Sequence, residues 1–582
     1  MNISDDTVFG ENFAITGNGT IIINDYNRII SYINEYYGEY TFENITITKT
    51  KINRGNLTLI NCSIYSSVTN SYGNLTLINC SVNALISNNY GNLTLINCSL
   101  SNNNFSYVTG KIGYLVSNYG NLLLDNVKVS NNSINYETNR QTDDKCGGLI
   151  LNNANLTVFN SNFTDNHIGD SNQTDAGQEY TYNYGYVVGC GIIYNANRGN
   201  ISIYNSTFDN NIAGHSGSCI YMTSSSNINA EEDKLLIDNT SFTNNIARVH
   251  GGALYLSSPN ATITNSYFEN NNVINQINTG YTYVLGGGAI HTNPRTGKSN
   301  LYIENTTFKN NSGYSNGYSW SAPHKDAIIN LGCNLTLNND TFENCNISSY
   351  SNDWNANFFT VLNNSNIANG SYISINQYMR ANVTNNRFTN NGSLYLGTQS
   401  YPSDSQATNY QEYITNNTFI NNIGAETIQI GENIDYTTIA DNTYQNTSIG
   451  DTLELDIPEK IYTDEPITIT GTYTINNPEY YDEDILKQNK FQVYINDELV
   501  DTVNTIEFTI TPTSGNMILT VQPTISQTRK SAIIMADTLN FTLDDITATI
   551  GETAQLTAQI TFITDDTQVD VNTGRVYFKV NG

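Results

Sequence analysis

The chain has 582 residues, of which 38% are hydrophobic and 13% are charged, and its formal net charge is -29. So acidic a chain is repelled by nucleic acid and by an anionic membrane surface, so we expect neither as a partner. No apolar stretch of about 20 residues is present, and the first residues lack the basic and apolar regions of a secretion signal. We predict no membrane insertion in this fragment and expect its signal and anchor to lie elsewhere.

The distribution of asparagine divides the chain into two parts. Of 96 Asn residues, 87 precede residue 451 and only nine follow it. Two segments of such different composition fold by different rules, so we predict a domain boundary at residue 450.

The first segment, residues 1–40, is predicted to cap the domain that follows. A helix over 25–37 would begin at Asp25 as its N-cap and would place Ile29, Ile30 and Ile33 against the first repeat. A cap is expected because the open end of a stacked β-structure exposes unpaired strand edges.

Residues 41–450 contain a repeat. Three near-identical decapeptides, GNLTLINCS followed by Ile, Val or Leu, begin at Gly55, Gly73 and Gly91, with a period of 18 residues. A weaker form continues along the chain, with alternating apolar residues before an anchor asparagine and an apolar residue three positions after it. The twelve anchors that we predict as a structural ladder are Asn61, Asn79, Asn97, Asn126, Asn160, Asn205, Asn239, Asn265, Asn305, Asn339, Asn385 and Asn416. Asn44 and Asp441 extend the series to fourteen units, each of which we interpret as one coil of a parallel β-helix.

The anchor position suits asparagine for two reasons. Asparagine tolerates the left-handed backbone of a tight turn, and its amide can hydrogen-bond to the same residue in the next coil. We expect anchor side chains such as that of Asn61 to be buried, which would keep their Asn-x-Ser/Thr sequences from being glycosylated. Phenylalanine usually holds the apolar position after the anchor, as at Phe163, Phe208 and Phe242, and should face inward.

The cysteines and histidines give no metal or catalytic pattern. Cys62, Cys80 and Cys98 recur at one coil position and are predicted to be small, inward-facing free thiols. The five histidines are scattered, and we expect loop or hydrogen-bonded residues rather than ligands. No cofactor and no metal site are predicted.

Aromatic residues in the longer, later coils are the candidate ligand-binding surface. Trp320 and Trp354 each follow an anchor by 15 residues, so they should lie in adjacent coils, about one strand spacing apart on the outer surface. Exposed aromatic faces suit stacking against sugar rings, although such residues can also pack an insertion loop onto the solenoid. The other candidates for this stripe are Tyr281, Tyr314, Tyr318, Tyr350 and Tyr401.

After residue 450, short β-rich segments separated by turns predict two modules. Residues 451–543 should form an immunoglobulin-like β-sandwich, and residues 544–582 should begin a second one that ends early. The predicted fold class is therefore all-β, a right-handed parallel β-helix of the pectate-lyase-like type followed by immunoglobulin-like modules.

Several short motifs resemble known surface proteins. The sequences GGAL at Gly251 and GGAI at Gly287, with seven Phe-x-x-Asn matches, resemble the β-helix repeats of chlamydial polymorphic outer-membrane proteins. The order of a β-helix followed by immunoglobulin-like modules is similar to that of the adhesin-like surface proteins of methanogenic archaea. This resemblance implies the fold, an extracellular cell-surface location and adhesion, and it provides no catalytic residues.

We therefore expect a monomeric, non-catalytic adhesin that binds a glycan or surface protein of another cell, with the immunoglobulin-like modules as its stalk. A polysaccharide lyase or glycoside hydrolase is the main alternative, because parallel β-helices also carry such enzymes. No converging carboxylates at stacked positions support it. A structural cell-coat protein is the third possibility.

Overall fold

The fold is known from a computed structural model, which describes most of the chain. The described residues are 14–15, 19–21, 39–47, 56–65, 67–70, 72–88, 90–107, 114–136, 147–169, 191–195, 199–222, 234–257, 259–274, 286–293, 299–313, 326–351, 358–375, 379–397, 412–422, 428–430, 437–445, 447, 450–475, 478, 483–513, 515–526, 528–537, 539–544, 546–547, 549–555 and 557–562. They divide into two compact units, residues 1–419 with 428–440 and residues 420–427 with 441–582.

The described residues up to 445 form long parallel sheets, which we number 1 to 4. Sheet 1 has 16 strands: Ala14–Ile15, Glu39–Glu43, Asn56–Ile60, Leu75–Ile78, Leu93–Ile96, Leu122–Asp125, Leu156–Phe159, Ile201–Tyr204, Lys234–Asp238, Asn260–Thr264, Asn300–Glu304, Asn334–Asn338, Phe358–Asn363, Met379–Thr384, Glu412–Thr415 and Thr437–Ala440. Sheet 2 also has 16: Gly19–Ile21, Ile45–Ile47, Ser63–Ile64, Ser81–Val82, Ser99–Ser101, Lys128–Ser130, Asn162–Thr164, Thr207–Asp209, Ser241–Thr243, Tyr267–Glu269, Thr307–Lys309, Thr341–Glu343, Asn366–Ala368, Arg387–Thr389, Thr418–Ile420 and Thr443–Gln445.

The other two parallel sheets are shorter. Sheet 3 has 13 strands: Val68–Asn70, Ile86–Asn88, Val116–Asn118, Ile150–Asn152, Ile193–Asn195, Ile220–Met222, Leu254–Leu256, Ile290–Thr292, Asp326–Leu331, Asn346–Tyr350, Tyr372–Ile375, Ser393–Leu396 and Ile428–Ile430. Sheet 4 has seven: Asn104–Tyr107, Ser133–Tyr136, His167–Ile168, Ile212–Ala213, Ile246–Ala247, Asn272–Val273 and Ser312–Gly313.

Successive coils add one strand to each sheet in register. Leu75 pairs with Leu93, and Phe163 pairs with Phe208, so equivalent residues of neighbouring coils lie side by side. In 13 of the coils the described chain passes from sheet 1 through the anchor turn to sheet 2 and then to sheet 3, and in seven of these a strand of sheet 4 lies between sheets 2 and 3. This arrangement is consistent with the predicted parallel β-helix.

The solenoid has more coils than the fourteen that we predicted. Strands Ala14–Ile15 and Gly19–Ile21 pair in parallel with Glu39–Glu43 and Ile45–Ile47, inside the range that we assigned to the cap. The predicted cap helix over 25–37 lies outside the described residues.

A second additional coil has its anchor at Asn364, where φ is 53°. The sequence pattern missed Asn364 because Thr360 stands at a position that is usually apolar, and Ile367 replaces the usual phenylalanine. Both side chains nevertheless face inward and are fully buried.

The anchor residues form turns with left-handed backbone. All thirteen anchor asparagines that we named, together with Asp441, have φ between 47° and 59°. In the early coils the side chains hydrogen-bond from coil to coil, as where Asn79 Nδ2 donates to Asn61 Oδ1 at 3.0 Å. The expectation that Asn61 is buried is wrong: its side chain is exposed, because the turn points the amide outward along the surface.

The core is filled by columns of like side chains. Phe163, Phe208, Phe242, Phe268 and Phe308 are fully buried and stack with ring centroids 4.4–5.0 Å apart. Buried asparagines form an internal ladder beside them, from Asn103 to Asn311. Within it, each Nδ2 donates to the Oδ1 of the next coil at 2.8–3.0 Å, in the order Asn103, Asn132, Asn166, Asn211, Asn245, Asn271, Asn311.

The prediction for the repeated cysteines is confirmed. Cys62, Cys80 and Cys98 are buried thiols that follow the anchors of three successive coils. Cys98 Sγ donates to the carbonyl oxygens of Ile96 and Leu77 at 3.3 and 3.4 Å, so the thiols are small polar members of the core.

The second unit contains two antiparallel sheets that share one apolar core. One sheet comprises Asp451–Asp456, Ile467–Ile475 and Glu507–Ile510, and the other comprises Glu498–Val503, Phe491–Ile495, Gly515–Pro523 and Lys530–Ala536. Ile469 from the first sheet and Val493, Leu519 and Ile534 from the second are fully buried in this core. A short helix, Glu483–Gln488, precedes strand Phe491–Ile495.

The strand Leu539–Leu543, which we assigned to the first module, pairs with Ala558–Phe562 across the predicted boundary at residue 543. Among the described residues, no helix is both long and apolar enough to cross a membrane.

Candidate functional site

Most of the predicted ligand-binding aromatics cannot be placed. Tyr281, Tyr314, Tyr318, Trp320, Trp354 and Tyr401 lie outside the described residues. Their assignment to a ligand-binding stripe stays a prediction.

Tyr350 is the one member of that set within the described structure, at the end of strand Asn346–Tyr350. Its hydroxyl oxygen is buried and makes no hydrogen bond. Burial, with the negative charge of Asp326, raises the pKa of Tyr350 well above its usual value. The hydroxyl of Tyr350 therefore points into the protein, while the residue as a whole is half-buried.

The structure shows an aromatic surface elsewhere, on the thin early coils. Tyr72, Tyr90 and Tyr119 each precede a glycine in the turn between sheets 3 and 1, and their exposed fractions are 60%, 72% and 53%. The rings of Tyr72 and Tyr90 stack with centroids 5.1 Å apart and planes 10° from parallel. We call Tyr72, Tyr90 and Tyr119 the tyrosine ladder. Because Tyr72 and Tyr90 stack face to face, their ring edges and hydroxyl groups are the parts most available to solvent.

Glycine holds the ladder in register. A Cβ on Gly91 would lie 2.0 Å from the carbonyl oxygen of Gly73, and one on Gly120 would lie 2.2 Å from that of Gly91. No side chain fits where the backbones of successive turns approach so closely. The Tyr-Gly pair therefore repeats at the same place in three consecutive coils.

A row of exposed asparagines follows these glycines. The backbone N–H of Asn92 donates to Asn74 Oδ1 at 2.9 Å, and that of Asn121 donates to Asn92 Oδ1 at 3.2 Å. A backbone N–H can only donate, so these bonds fix each amide oxygen toward the next coil. Within the described structure, the Nδ2 groups of Asn74 and Asn92 make no hydrogen bond, and they remain as exposed donors beside the tyrosine ladder.

The sequence did contain a signal for this surface. Tyrosine precedes the glycine of the repeat at Tyr72 and Tyr90, and a Tyr-Gly-Asn sequence recurs at Tyr119. The tyrosines at the turn were missed because the binding surface was expected on the later coils, whose longer insertions carry the two tryptophans.

A second grouping that the sequence did not reveal joins three histidines from three coils. The ring centroids of His215 and His250 are 6.2 Å apart, and those of His250 and His291 are 4.5 Å apart. Ser216 Oγ lies 2.9 Å from His215 Nδ1 and 3.2 Å from His250 Nδ1. A hydroxyl has a single proton, so it donates to one ring and accepts from the other when both rings are neutral.

The environment favours the neutral rings. Burial lowers the pKa of His215 to about 4 and that of His291 to about 3, while burial and the two neighbouring histidines lower the pKa of His250 well below its usual value. His291 is fully buried and neither ring nitrogen makes a hydrogen bond. Ser216 is fully buried as well, so it cannot meet a large substrate as a nucleophile in this conformation.

One carboxyl group is also held in an unusual environment. Asp340 follows the anchor Asn339 and is buried; its Oδ1 accepts the backbone N–H of Thr306 at 2.8 Å, while its Oδ2 makes no hydrogen bond. Burial raises the pKa of Asp340 to about 7. Within the part of the chain that the structure describes, no three His, Cys, Asp or Glu side chains are grouped so that they could hold a metal ion.

Comparison with known proteins adds no family to these observations: no protein-family model matches the chain, and no curated protein matches its sequence. The functional argument therefore depends on the geometry of the chain itself.

Proposed function

We propose that the chain is the exposed, non-catalytic part of a cell-surface adhesin, which binds a glycan or surface protein of another cell. The observation that carries this proposal is the tyrosine ladder. Large aromatic side chains that are more than half exposed and regularly spaced are typical of a recognition surface, because their rings offer apolar contact and their hydroxyls offer hydrogen bonds.

The scaffold supports this function in a second way. The anchor asparagines and the internal asparagine ladder satisfy polar groups from coil to coil, which makes the solenoid a rigid support. A rigid row of side chains loses little conformational entropy on binding, so weak contacts at each coil can add up.

The finer structural assignments belong to the same proposal. We infer that the solenoid is right-handed and that the two-sheet unit after residue 450 is an immunoglobulin-like module acting as a stalk. The resemblance to adhesin-like surface proteins of methanogenic archaea supports both assignments and an extracellular location.

Two other functions make different predictions. A polysaccharide-cleaving enzyme would release reducing or unsaturated sugars from pectin-like polymers. A structural coat protein would self-associate into ordered arrays without a foreign ligand. The buried position of Ser216 favours adhesion over cleavage.

The test is binding of the fluorescently labelled chain to a panel of microbial and animal cells, measured by flow cytometry. We expect the Tyr72→Ser, Tyr90→Ser, Tyr119→Ser triple variant to lose most of the binding that the unmodified chain shows. Tyr413→Ser is the matched control, because Tyr413 is 41% exposed on sheet 1, away from the ladder.

Unchanged binding of the triple variant would show that the tyrosine ladder does not take part in cell binding. Absence of binding by the unmodified chain to any cell would contradict adhesion itself. Circular dichroism of each variant establishes that the solenoid is folded before the binding results are compared.

A further inference from the structure

We propose that the ligand of the tyrosine ladder is an extended, linear β-linked polysaccharide that lies parallel to the solenoid axis, with one sugar residue per coil. This inference depends on the proposed binding function and specifies its substrate class. The proposed ligand is a polymer and not a folded protein.

The first argument is the repeat distance. Tyr72 and Tyr90 are equivalent residues of successive coils, with ring centroids 5.1 Å apart, close to the strand spacing of about 4.8 Å. An extended β-linked polysaccharide advances by nearly the same distance with each sugar. Equivalent groups of successive sugars can therefore meet equivalent side chains of successive coils.

The second argument is the chemistry offered at each coil. The exposed amides of Asn74 and Asn92 each present a donor, because their oxygens already accept a backbone N–H of the next coil. The neighbouring tyrosines add hydroxyls, which can donate and accept. Sugar hydroxyls and ring oxygens have the complementary character, so each coil repeats the same pair of hydrogen-bonding groups.

The third argument concerns charge and ring orientation. The ladder is made of uncharged side chains, which suits a neutral polymer better than a charged one. The stacked rings of Tyr72 and Tyr90 leave no room for a sugar between them, so the polymer would run along their edges. This contact differs from the stacking on isolated aromatic faces that we expected for Trp320 and Trp354.

The experiment is isothermal titration calorimetry of the full chain with cello-oligosaccharides and chito-oligosaccharides of one to six sugar residues. We expect affinity to rise with each residue up to three and then to level off, because three coils carry the Tyr-Gly-Asn turn. The Tyr72→Phe, Tyr90→Phe, Tyr119→Phe variant keeps the rings and loses the hydroxyls, and it should bind at least about tenfold more weakly.

Asn74→Asp is the sharper variant. It keeps an oxygen that can accept the Asn92 N–H and replaces the exposed N–H donor with a negatively charged acceptor, so it should weaken binding without lowering the thermal midpoint. Tyr413→Phe should leave the affinity unchanged.

Binding that does not depend on oligosaccharide length would overturn the inference, as would full affinity in both variants. If no oligosaccharide binds while cells still do, the polysaccharide assignment is wrong and the adhesive function stands. If neither cells nor oligosaccharides bind, both are wrong.

Discussion

The imidazole rings of His250 and His291 lie on adjacent coils with their centroids 4.5 Å apart, and His291 is fully buried without a hydrogen bond to either nitrogen. Two charged imidazoles cannot share this space at low energy, because each would lose its hydration and repel the other. The solenoid in this region therefore depends on neutral histidines.

Acid should destabilise the protein through these histidines. The pKa of His291 falls from 6.5 when unfolded to about 3 when folded, so the unfolded state binds more protons between these values. The contribution of neutral His291 to the free energy of unfolding is retained above pH 6.5 and is lost as the pH falls toward 3. This loss amounts to at most about 5 kcal/mol.

His291→Phe tests this dependence, since Phe keeps a ring beside Tyr255 and cannot be protonated. Urea unfolding at pH 7.5 and pH 4.5 should show a smaller stability loss in this variant than in the unmodified chain. Equal losses in the two proteins would show that His291 does not contribute.

Asp340 should produce the opposite trend. Its folded pKa of about 7 exceeds the unfolded value of 3.8, so the folded state binds more protons in this range. Stability is fully present below pH 3.8 and falls as the pH rises through 7.

Asp340→Asn removes the free-energy cost of ionising a buried carboxyl group. Asparagine fits the position after an anchor, as Asn386 and Asn417 show. We expect the variant to be more stable at pH 8 by about 1 to 4 kcal/mol, measured by urea unfolding, and nearly unchanged at pH 4. A loss of stability at pH 8 would contradict the raised pKa.

The two kinds of ladder differ in their contribution to stability. Phe242 is fully buried between Phe208 and Phe268, so Phe242→Ala should cost about 3 to 5 kcal/mol through the cavity it leaves. Asn239→Ala should cost about 1 to 2 kcal/mol, because it removes the 2.8 Å bond to Asn205 and strains a backbone with φ of 47°.

Asn239→Gly is the control, since it loses the same bond but tolerates the positive φ, and its loss should be smaller than that of Asn239→Ala. Thermal unfolding of the three variants shows the order of their stability losses. If neither Phe242→Ala nor Asn239→Ala moves the midpoint, the assigned roles of these positions fail.

Gly91→Ala should lower the thermal midpoint strongly, although it adds only one methyl group. The added Cβ would lie 2.0 Å from the Gly73 carbonyl oxygen, so the two coils must separate. Gly370→Ala is the comparison, because its φ of 78° is strained but no atom lies within 4 Å of the new Cβ. A smaller drop in thermal midpoint for Gly91→Ala than for Gly370→Ala would contradict the close approach.

The periodic features of this fold could be read from the sequence because each repeats with the coil. The anchor asparagines are followed at a fixed distance by inward residues such as Phe208, and both are found at the expected positions. The sequence pattern failed at Asn364, where Thr360 broke the apolar alternation that marked the other anchors. Local substitution inside a repeat is enough to hide a coil.

The histidine group could not have been predicted in this way. His215, His250 and His291 follow their anchors at different distances, and the coil of His291 has a longer stretch of chain before sheet 3 than the coils of His215 and His250. Contacts that depend on insertion lengths leave no periodic trace. The tyrosine ladder, by contrast, was visible in the repeated Tyr-Gly-Asn sequence.

Hydroxyl-radical footprinting of the full chain on isolated cell envelopes tests the central claim most directly, with the oxidation of each tyrosine read by mass spectrometry. We predict that bound envelopes protect Tyr72, Tyr90 and Tyr119 from oxidation and leave Tyr413 unprotected. Protection confined to residues 314–354, with the tyrosine ladder oxidised as in the free chain, would contradict the account.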